Sequence, residues 1–482
     1  MKSIFKDIKS EFATGSTKAG SYSLALIAIV LVIIIAVNLI IGFLPDNYTQ
    51  LDMTAKQLYS ISNQSKVILG SVDQDITIYW VVTSGKEDRY VQKLLNNYAS
   101  YSSHVSIVQK DPDIYPDFTD AYTDDDIYNN SVVVECGDKS RYISYADMYE
   151  TSGLSYYSSY SSDTKFAGEK LITSAISYCI SDSIPLVYTL EGHGEAELSD
   201  SVATALENDN LSTASLSLLS LEAVPDDADC ILINAPESDI SDSELDMLTD
   251  YLDGGGSILV LDGTTKDGSL TNLNKLMEYF SVQVKEGIVL DGDNGSYVYG
   301  NPALLLPEIQ SSDITNSLIE DKYHVVLPIA KALEQVAEIG GTTITPLLQT
   351  SASAYLKTDG YDITSYEQAD DDETGTFTLA LLAEKTISAD ATASAVWIGS
   401  SYVLEDVYDN YSSGANSDLV INALEYMVGN EDSISIRSKS LSNEYLTVDS
   451  AASSRITLIT IAVIPAIVLA AGIAITVKRR QK

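Results

Sequence analysis

The chain has 482 residues, 69 of them acidic and 28 basic, for a formal net charge of −41. A surface this anionic repels phosphates, which argues against nucleic-acid partners and against adsorption to anionic lipid headgroups. Three cysteines, Cys136, Cys179 and Cys230, lie far apart with no CxxC spacing. Neither a disulfide framework nor a zinc site is expected, and each thiol sits among apolar neighbours as a small buried hydrophobe.

In chain order, residues 1–22 carry a net +2 and read as a cytoplasmic basic tail. Residues 23–43 contain no charge and are long enough to cross a hydrocarbon core of about 30 Å as a helix. Their apolar run exceeds that of a signal peptide, and Leu44-Pro45-Asp46 offers no small-x-small cleavage site, so an uncleaved anchor is expected. Residues 456–477 form a second uncharged run, in which Pro465 is a tolerable kink. Residues 478–482 follow with a net +4, a second basic tail. Subtracting both tails from the total leaves −47 for the region between them. Basic flanks stay in the cytoplasm, so the expectation is a two-pass protein of the cell membrane, both termini inside and the centre extracytoplasmic.

The first extracytoplasmic block, 48–182, opens with a strand at 75–82 and a helix at 87–100 whose Val91, Leu94, Leu95 and Tyr98 share a stripe. A strand at 104–109 follows, then a hairpin of 131–136 and 141–145 turning at Gly137-Asp138, and a helix at 166–179. This β-α-β unit with a hairpin is consistent with a thioredoxin-like layer lacking a redox motif. Residues 142–160 are rich in Tyr and Ser, either a recognition surface or a solvated loop.

The second block, 183–286, alternates strands at 184–190, 229–235 and 257–262 with helices at 198–208 and from Ser241. Ser241 and Glu244 form a capping box, Leu245, Leu248 and Leu252 make the inner face, and Gly254-Gly255-Gly256 ends the helix. Strands this apolar between helices imply a doubly wound parallel sheet. The third block, 287–450, is less regular, with a buried strand at 395–399 and a helix capped by Ser417. The acidic runs Asp124-Asp125-Asp126 and Asp370-Asp371-Asp372-Glu373 lack the spacing of a calcium loop and read as solvated turns.

One cluster resembles a site: Gly192, His193, Gly194 and Glu195, directly after a predicted strand. Doubly wound sheets place ligand contacts there, so the four are the candidate binding residues, with His193 able to serve as base or ligand and Glu195 as its partner. The alternative is a structural turn held by His193. GxSxG, GxxxxGK[ST] and GxGxxG motifs are absent, so no catalytic residue, cofactor or metal is assigned.

Several stretches carry a family resemblance. They are Leu51-Asp52-Met53-Thr54, Leu58-Tyr59-Ser60-Ile61-Ser62 and Glu191-Gly192-His193-Gly194-Glu195. Further on come ILINAP at 231–236 with Asp239, Ser241 and Glu244, and Tyr251-Leu252-Asp253-Gly254-Gly255-Gly256. DLVINALEYM at 418–427, Ile434-Ser435-Ile436-Arg437-Ser438-Lys439 and the closing basic helix complete the set. In order and spacing these resemble the GldG-like family, auxiliary components of ABC-type transport systems first associated with gliding motility. The resemblance implies an extracytoplasmic domain similar in fold to class I glutamine amidotransferases, without a catalytic Cys. It also implies a separate ABC permease and a cytoplasmic ABC ATPase as partners. The expected function is a non-catalytic membrane-anchored accessory subunit that binds substrate or a partner. The competing readings are a stand-alone surface adhesion protein and a hydrolase built on His193 and Glu195.

Overall fold

The computed structural model describes residues 26–37, 60–123, 127–151, 164–181, 183–263, 265, 270–320, 322–336, 341–358, 363–389, 391–429, 436, 438–441, 465 and 472. The chain divides into two compact units, Met1–Ser440 and Leu441–Lys482, and every element below lies in the first. Residues 26–37 are helical with all their side chains exposed. Among the described residues no helix is long and apolar enough to cross a membrane. Of the expected spans, 23–43 is described only at 26–37 and 456–477 only at Pro465 and Gly472, and residues 152–160 of the Tyr/Ser-rich stretch and Asp124-Asp125-Asp126 lie outside the described residues.

The N-terminal body begins with α1 (Asn63–Ser71), capped by Ser62, whose hydroxyl accepts from the Ser65 N–H. The alternating, β-branched run of β1 (Ile76–Val81) pairs in parallel with β2 (Val105–Lys110) across α2 (Arg89–Tyr101). Asp88 caps α2 by accepting from the N–H groups of Tyr90 and Val91, and Val91, Leu94, Leu95 and Tyr98 form its buried stripe. β3 (Ser131–Cys136) and β4 (Lys139–Ile143) make the hairpin, with Gly137 at φ 58° in the turn. The sheet order is β2-β1-β3-β4, with β3 antiparallel to both neighbours. β5 (Tyr149–Thr151) and β6 (Thr164–Phe166) then lead into α3 (Gly168–Ile180). Cys136, Cys179 and Cys230 are all buried and unpaired.

The central sheet is built from β7 (Leu186–Leu190), β8 (Ser212–Leu216), β9 (Cys230–Asn234) and β10 (Ser257–Leu261), all parallel, in the order β8-β7-β9-β10. Helices α4 (Asp200–Asn208), α5 (Asp242–Asp253) and α6 (Thr271–Glu278) alternate with the strands. Every residue of β9 and β10 is buried, as both faces of the sheet are covered. On one face Val187, Leu232, Leu259 and Leu261 pack with Val202 and Leu206 of α4. On the other Ile231, Ile233, Ile258 and Val260 meet Leu248 and Leu252 of α5 and Leu273, Leu276 and Met277 of α6.

Short strands follow: β11 (Val282–Val284), β12 (Ile288–Asp291), β13 (Leu304–Leu305), β14 (Glu308–Ile309), β15 (Leu327–Pro328) and β16 (Leu333–Gln335), with α7 (Asn316–Glu320) among them. Then come β17 (Thr342–Gln349), β18 (Ala354–Lys357), β19 (Glu373–Thr374), β20 (Thr378–Thr386) and β21 (Thr392–Ile398). The main sheet runs across the expected domain boundary at 286. β21 pairs in parallel with β10, from Ser257 opposite Ser394 to Leu261 opposite Ile398, and β20 extends the sheet antiparallel beyond it. α8 (Asp406–Ser412) and α9 (Ala415–Met427) close the fold, and Leu419, Val420, Ala423 and Leu424 pack with Val187 and Leu232. The residue expected to cap this last helix, Ser417, lies inside it. The turn instead comes from Ser413 and Gly414 in the left-handed region, and the Ser417 N–H donates to Asp409 Oδ1 at 2.9 Å. β22 (Lys439–Ser440) returns to pair with β6.

Within the first unit, polar contacts join the N-terminal body to the end of α4 beside the central sheet. Lys170 pairs with Asp209 at 2.9 Å, and Arg141 donates to the Glu207 carbonyl and to Asn210 Oδ1 at 3.1 and 2.6 Å.

Candidate functional site

Open parallel sheets bind ligands outside the carboxyl ends of their strands, where the strand order reverses. The chain runs from β7 outward to β8 and then crosses back to β9, so the reversal lies between β7 and β9. The loop leaving β7 is Glu191-Gly192-His193-Gly194-Glu195, and the loop leaving β9 is Ala235-Pro236-Glu237-Ser238.

The first loop turns on Gly192 at φ 127° and Gly194 at φ 79°. A Cβ at Gly194 would also stand 3.1 Å from the Glu237 Cβ, so glycine is needed there both for conformation and for space. Between the glycines the His193 side chain turns inward and is only 6% exposed. Its Nδ1–H donates to Glu195 Oε1 at 3.0 Å, and its Nε2–H donates to Glu244 Oε2 at 3.1 Å. Its carbonyl accepts from the N–H groups of Glu237 and Ser238 at 3.0 and 2.9 Å, and from the Ser238 hydroxyl at 3.1 Å. His193 thus joins the β7 loop, the β9 loop and the N-terminus of α5. Asn234 finishes the weld, donating from its amide to the Ala196 carbonyl at 2.7 Å.

Both carboxylates are themselves held. Glu195 Oε2 accepts from the His193 N–H at 2.7 Å, and Glu244 Oε2 accepts from the Ser241 N–H and hydroxyl at 2.8 and 2.7 Å. The capping box of α5 therefore also supplies one of the two partners of His193. Hydrogen bonding to Glu195 raises the His193 pKa against the opposing effect of burial, and Glu244 adds to the rise. Burial would raise Glu195 and Glu244, but hydrogen bonds from His193 to the first and from Ser241 and His193 to the second leave both below their ordinary values. A carboxylate oxygen within hydrogen-bond distance of each ring nitrogen favours the doubly protonated imidazolium. A ring with both nitrogens protonated has no lone pair with which to accept a proton or bind a metal.

Of the four residues singled out from sequence, His193 and Glu195 are brought together inside the fold, while Gly192 and Gly194 form the exposed rim. Glu244, on another element, is a third member that the sequence marked only as part of a cap. At the carboxyl ends of β10 and β21 lies a pair that sequence reasoning did not single out. Asp262 is fully buried and accepts from Lys331 Nζ at 3.1 Å. Burial pushes the Asp262 carboxyl up, with Lys331 pulling against it. The legible signal was a carboxylate ending the apolar run Ser257-Ile258-Leu259-Val260-Leu261.

Among the described residues no group of three or more His, Cys, Asp and Glu is placed to hold a metal ion. In the acidic run at 370–373, Asp372 pairs with Lys357 at 2.7 Å and Glu373 with Lys285 at 2.5 Å.

Residues 185–423 match the model of a family described as an ABC-type uncharacterized transport system. The match supports the ABC-transport auxiliary family. It begins one residue before β7 and ends within α9, so it takes in the parallel sheet and the insertion between β10 and β21. Residues 55–148 match a second model, a domain of unknown function, which covers most of the N-terminal body. No curated protein matches the chain.

Among solved structures, the chain is similar to the mmIFT52 N-terminal domain at 16% identity and a TM-score of 0.36, covering 50% of this chain and 97% of that one. It is also similar to the exo-β-1,4-mannosidase Op5Man5 from Opitutaceae bacterium strain TAV5 at 10% identity and 0.26, covering 52% and 37%. PurLQS from Thermotoga maritima gives 10% identity and 0.23, covering 52% and 99%.

Proposed function

We propose that this chain is a membrane-anchored, non-catalytic accessory subunit of an ABC transport system, of the GldG-like kind, working beside a permease and a cytoplasmic ATPase. The observation that carries this reading is the family match across 185–423. Two uncharged terminal runs with basic flanks support two anchors with both termini cytoplasmic, and the exposed apolar helix at 26–37 agrees with a lipid-facing segment. On this reading the N-terminal body is a thioredoxin-like layer and the parallel sheet is an amidotransferase-like domain. The rim of Gly192 and Gly194 at the strand-order reversal is where a substrate or partner group is held. The burial of His193, with a carboxylate at each ring nitrogen, counts against a hydrolase that uses it as a general base.

The test is gentle detergent extraction of the tagged full chain, followed by mass spectrometry of what remains bound. Recovery of an ABC ATPase with a multi-span permease is expected. Recovery of this chain alone, under conditions that keep a control transporter whole, would overturn the proposal in favour of a free-standing surface binder.

A further inference from the structure

Glu169, in the first turn of α3, is sealed from solvent at 2% exposure. Its Oε1 accepts from the Ser62 N–H at 2.5 Å and from the Ser65 hydroxyl at 2.7 Å, which completes the N-terminus of α1 from outside the helix. Its Oε2 pairs with Lys439 Nζ at 2.6 Å. Lys439 also donates to the Ser60 carbonyl at 2.6 Å. One turn further along α3, Thr173 contacts the Ser65 hydroxyl at 3.0 Å and the buried Tyr98 hydroxyl.

The segments that meet here are remote in sequence, Ser60 and Lys439 being 379 positions apart. Ser60 stands 17 residues after the first apolar run ends at Phe43, and Lys439 stands 17 before the second begins at Ile456. The chain from the first run therefore joins the folded body at the carboxylate from which the chain to the second run departs. β22 reinforces the joint by pairing Lys439 with Phe166, three residues before Glu169. An exposed ion pair would add little, but these side chains are 3% and 16% exposed, and each also bonds backbone.

We infer that Glu169 is a positioning residue that fastens the incoming and outgoing tether segments to one another and to α3, so that a displacement of either is delivered to the same point of the fold. This deepens the accessory-subunit reading and rests on it for the identity of the tethers. In a subunit held at both ends by membrane-embedded partners, such a joint carries their movement into the N-terminal body as one motion.

The experiment is hydrogen–deuterium exchange with mass spectrometry on the full chain in detergent micelles, comparing the parent with Glu169→Gln, Lys439→Met and Lys439→Arg. Amides of α1 and of β6 are expected to exchange at least tenfold faster in both Glu169→Gln and Lys439→Met, with α5 and β10 unchanged. Lys439→Arg is expected to retain most of the protection. Faster exchange in only one of the two segments, or in neither, would overturn the inference. If Glu169→Gln also strips protection from β1 and β3, Lys439→Met decides, since it leaves the Ser62 and Ser65 bonds to Glu169 in place. Release of α1 together with β6 then supports the joint, and release of β6 alone refutes it. The readout needs no transport partner, so recovery of the chain alone from membranes would remove the accessory-subunit reading and leave this measurement standing.

Discussion

At the scale of single residues, the strand-order reversal carries a buried charged group, with His193 between Glu195 and Glu244. Removing His193 leaves Glu195 and Glu244 facing each other without a cation, and breaking a buried pair of this kind costs about 3–5 kcal/mol. His193→Gln is therefore expected to lower unfolding stability by about that amount near pH 6, measured by urea titration. The pH dependence has two signs. A raised His193 pKa adds stability that is complete below its unfolded value of about 6.5 and is lost as pH climbs through the folded value. The lowered pKa values of Glu195 and Glu244 add stability that is present above about 4.3 and is lost as pH falls through their folded values. The gap between parent and variant should be widest at about pH 5–6.5 and narrow on both sides. A gap that stays flat from pH 4 to 9 would mean that His193 is not an imidazolium there. Asp262 behaves oppositely, because burial raises it. In Lys331→Met the carboxylate loses its cation, so the loss of stability should grow as pH rises, reaching about 3–5 kcal/mol at pH 8. Adding Asp262→Asn should recover much of that loss.

At the scale of elements, much of the fold could be read because local signals and tertiary demands agree. The capping box at Ser241 and Glu244, the stripe on α2 and the apolar runs of β9 and β10 all form where their patterns place them. The last helix shows the limit. Ser417 satisfies the residue preference for a cap, but the helix starts two residues earlier, since Ser413 and Gly414 turn the chain directly out of α8. That choice depends on where α8 stops, which residue type alone does not encode. A Cβ at Gly414 would meet nothing within 4 Å, so the cost of Gly414→Ala is purely conformational at φ 88°. It is expected at about 1–2 kcal/mol in thermal or urea unfolding. A neutral result would show that the α8–α9 turn relaxes to another conformation. At the site, the Gly192–Glu195 loop was legible because glycines flank a histidine after a strand. The third partner, Glu244, was not, because it is 51 positions from His193 and is paired only by the crossover geometry.

At the scale of the whole molecule, what sequence reading separates at 286 the sheet joins. β10 ends at Leu261 and its neighbour β21 begins at Thr392, so the pairing that completes the parallel sheet spans an insertion whose described residues carry ten short or antiparallel strands, β11 to β20, with α6 and α7. Periodicity reports each strand but not its partner, and a crossover this long reads as a domain boundary. The packing states the opposite: Val396, Ile398, Leu419, Val420 and Leu424 share one cluster with Val187, Leu232, Leu259 and Leu261. A fragment of residues 183–286 would expose that face of the sheet along with the open edge of β10. It is expected to unfold without a cooperative transition, or to aggregate, whereas residues 183–429 should show one sharp transition in thermal circular dichroism. Cooperative unfolding of the short fragment would mean that β21 and α9 are an accessory layer, and that the sheet is complete with β8, β7, β9 and β10. The wider span also fits the family match, which runs from β7 into α9 without stopping at 286. The matched span therefore takes in the sheet together with the insertion between β10 and β21.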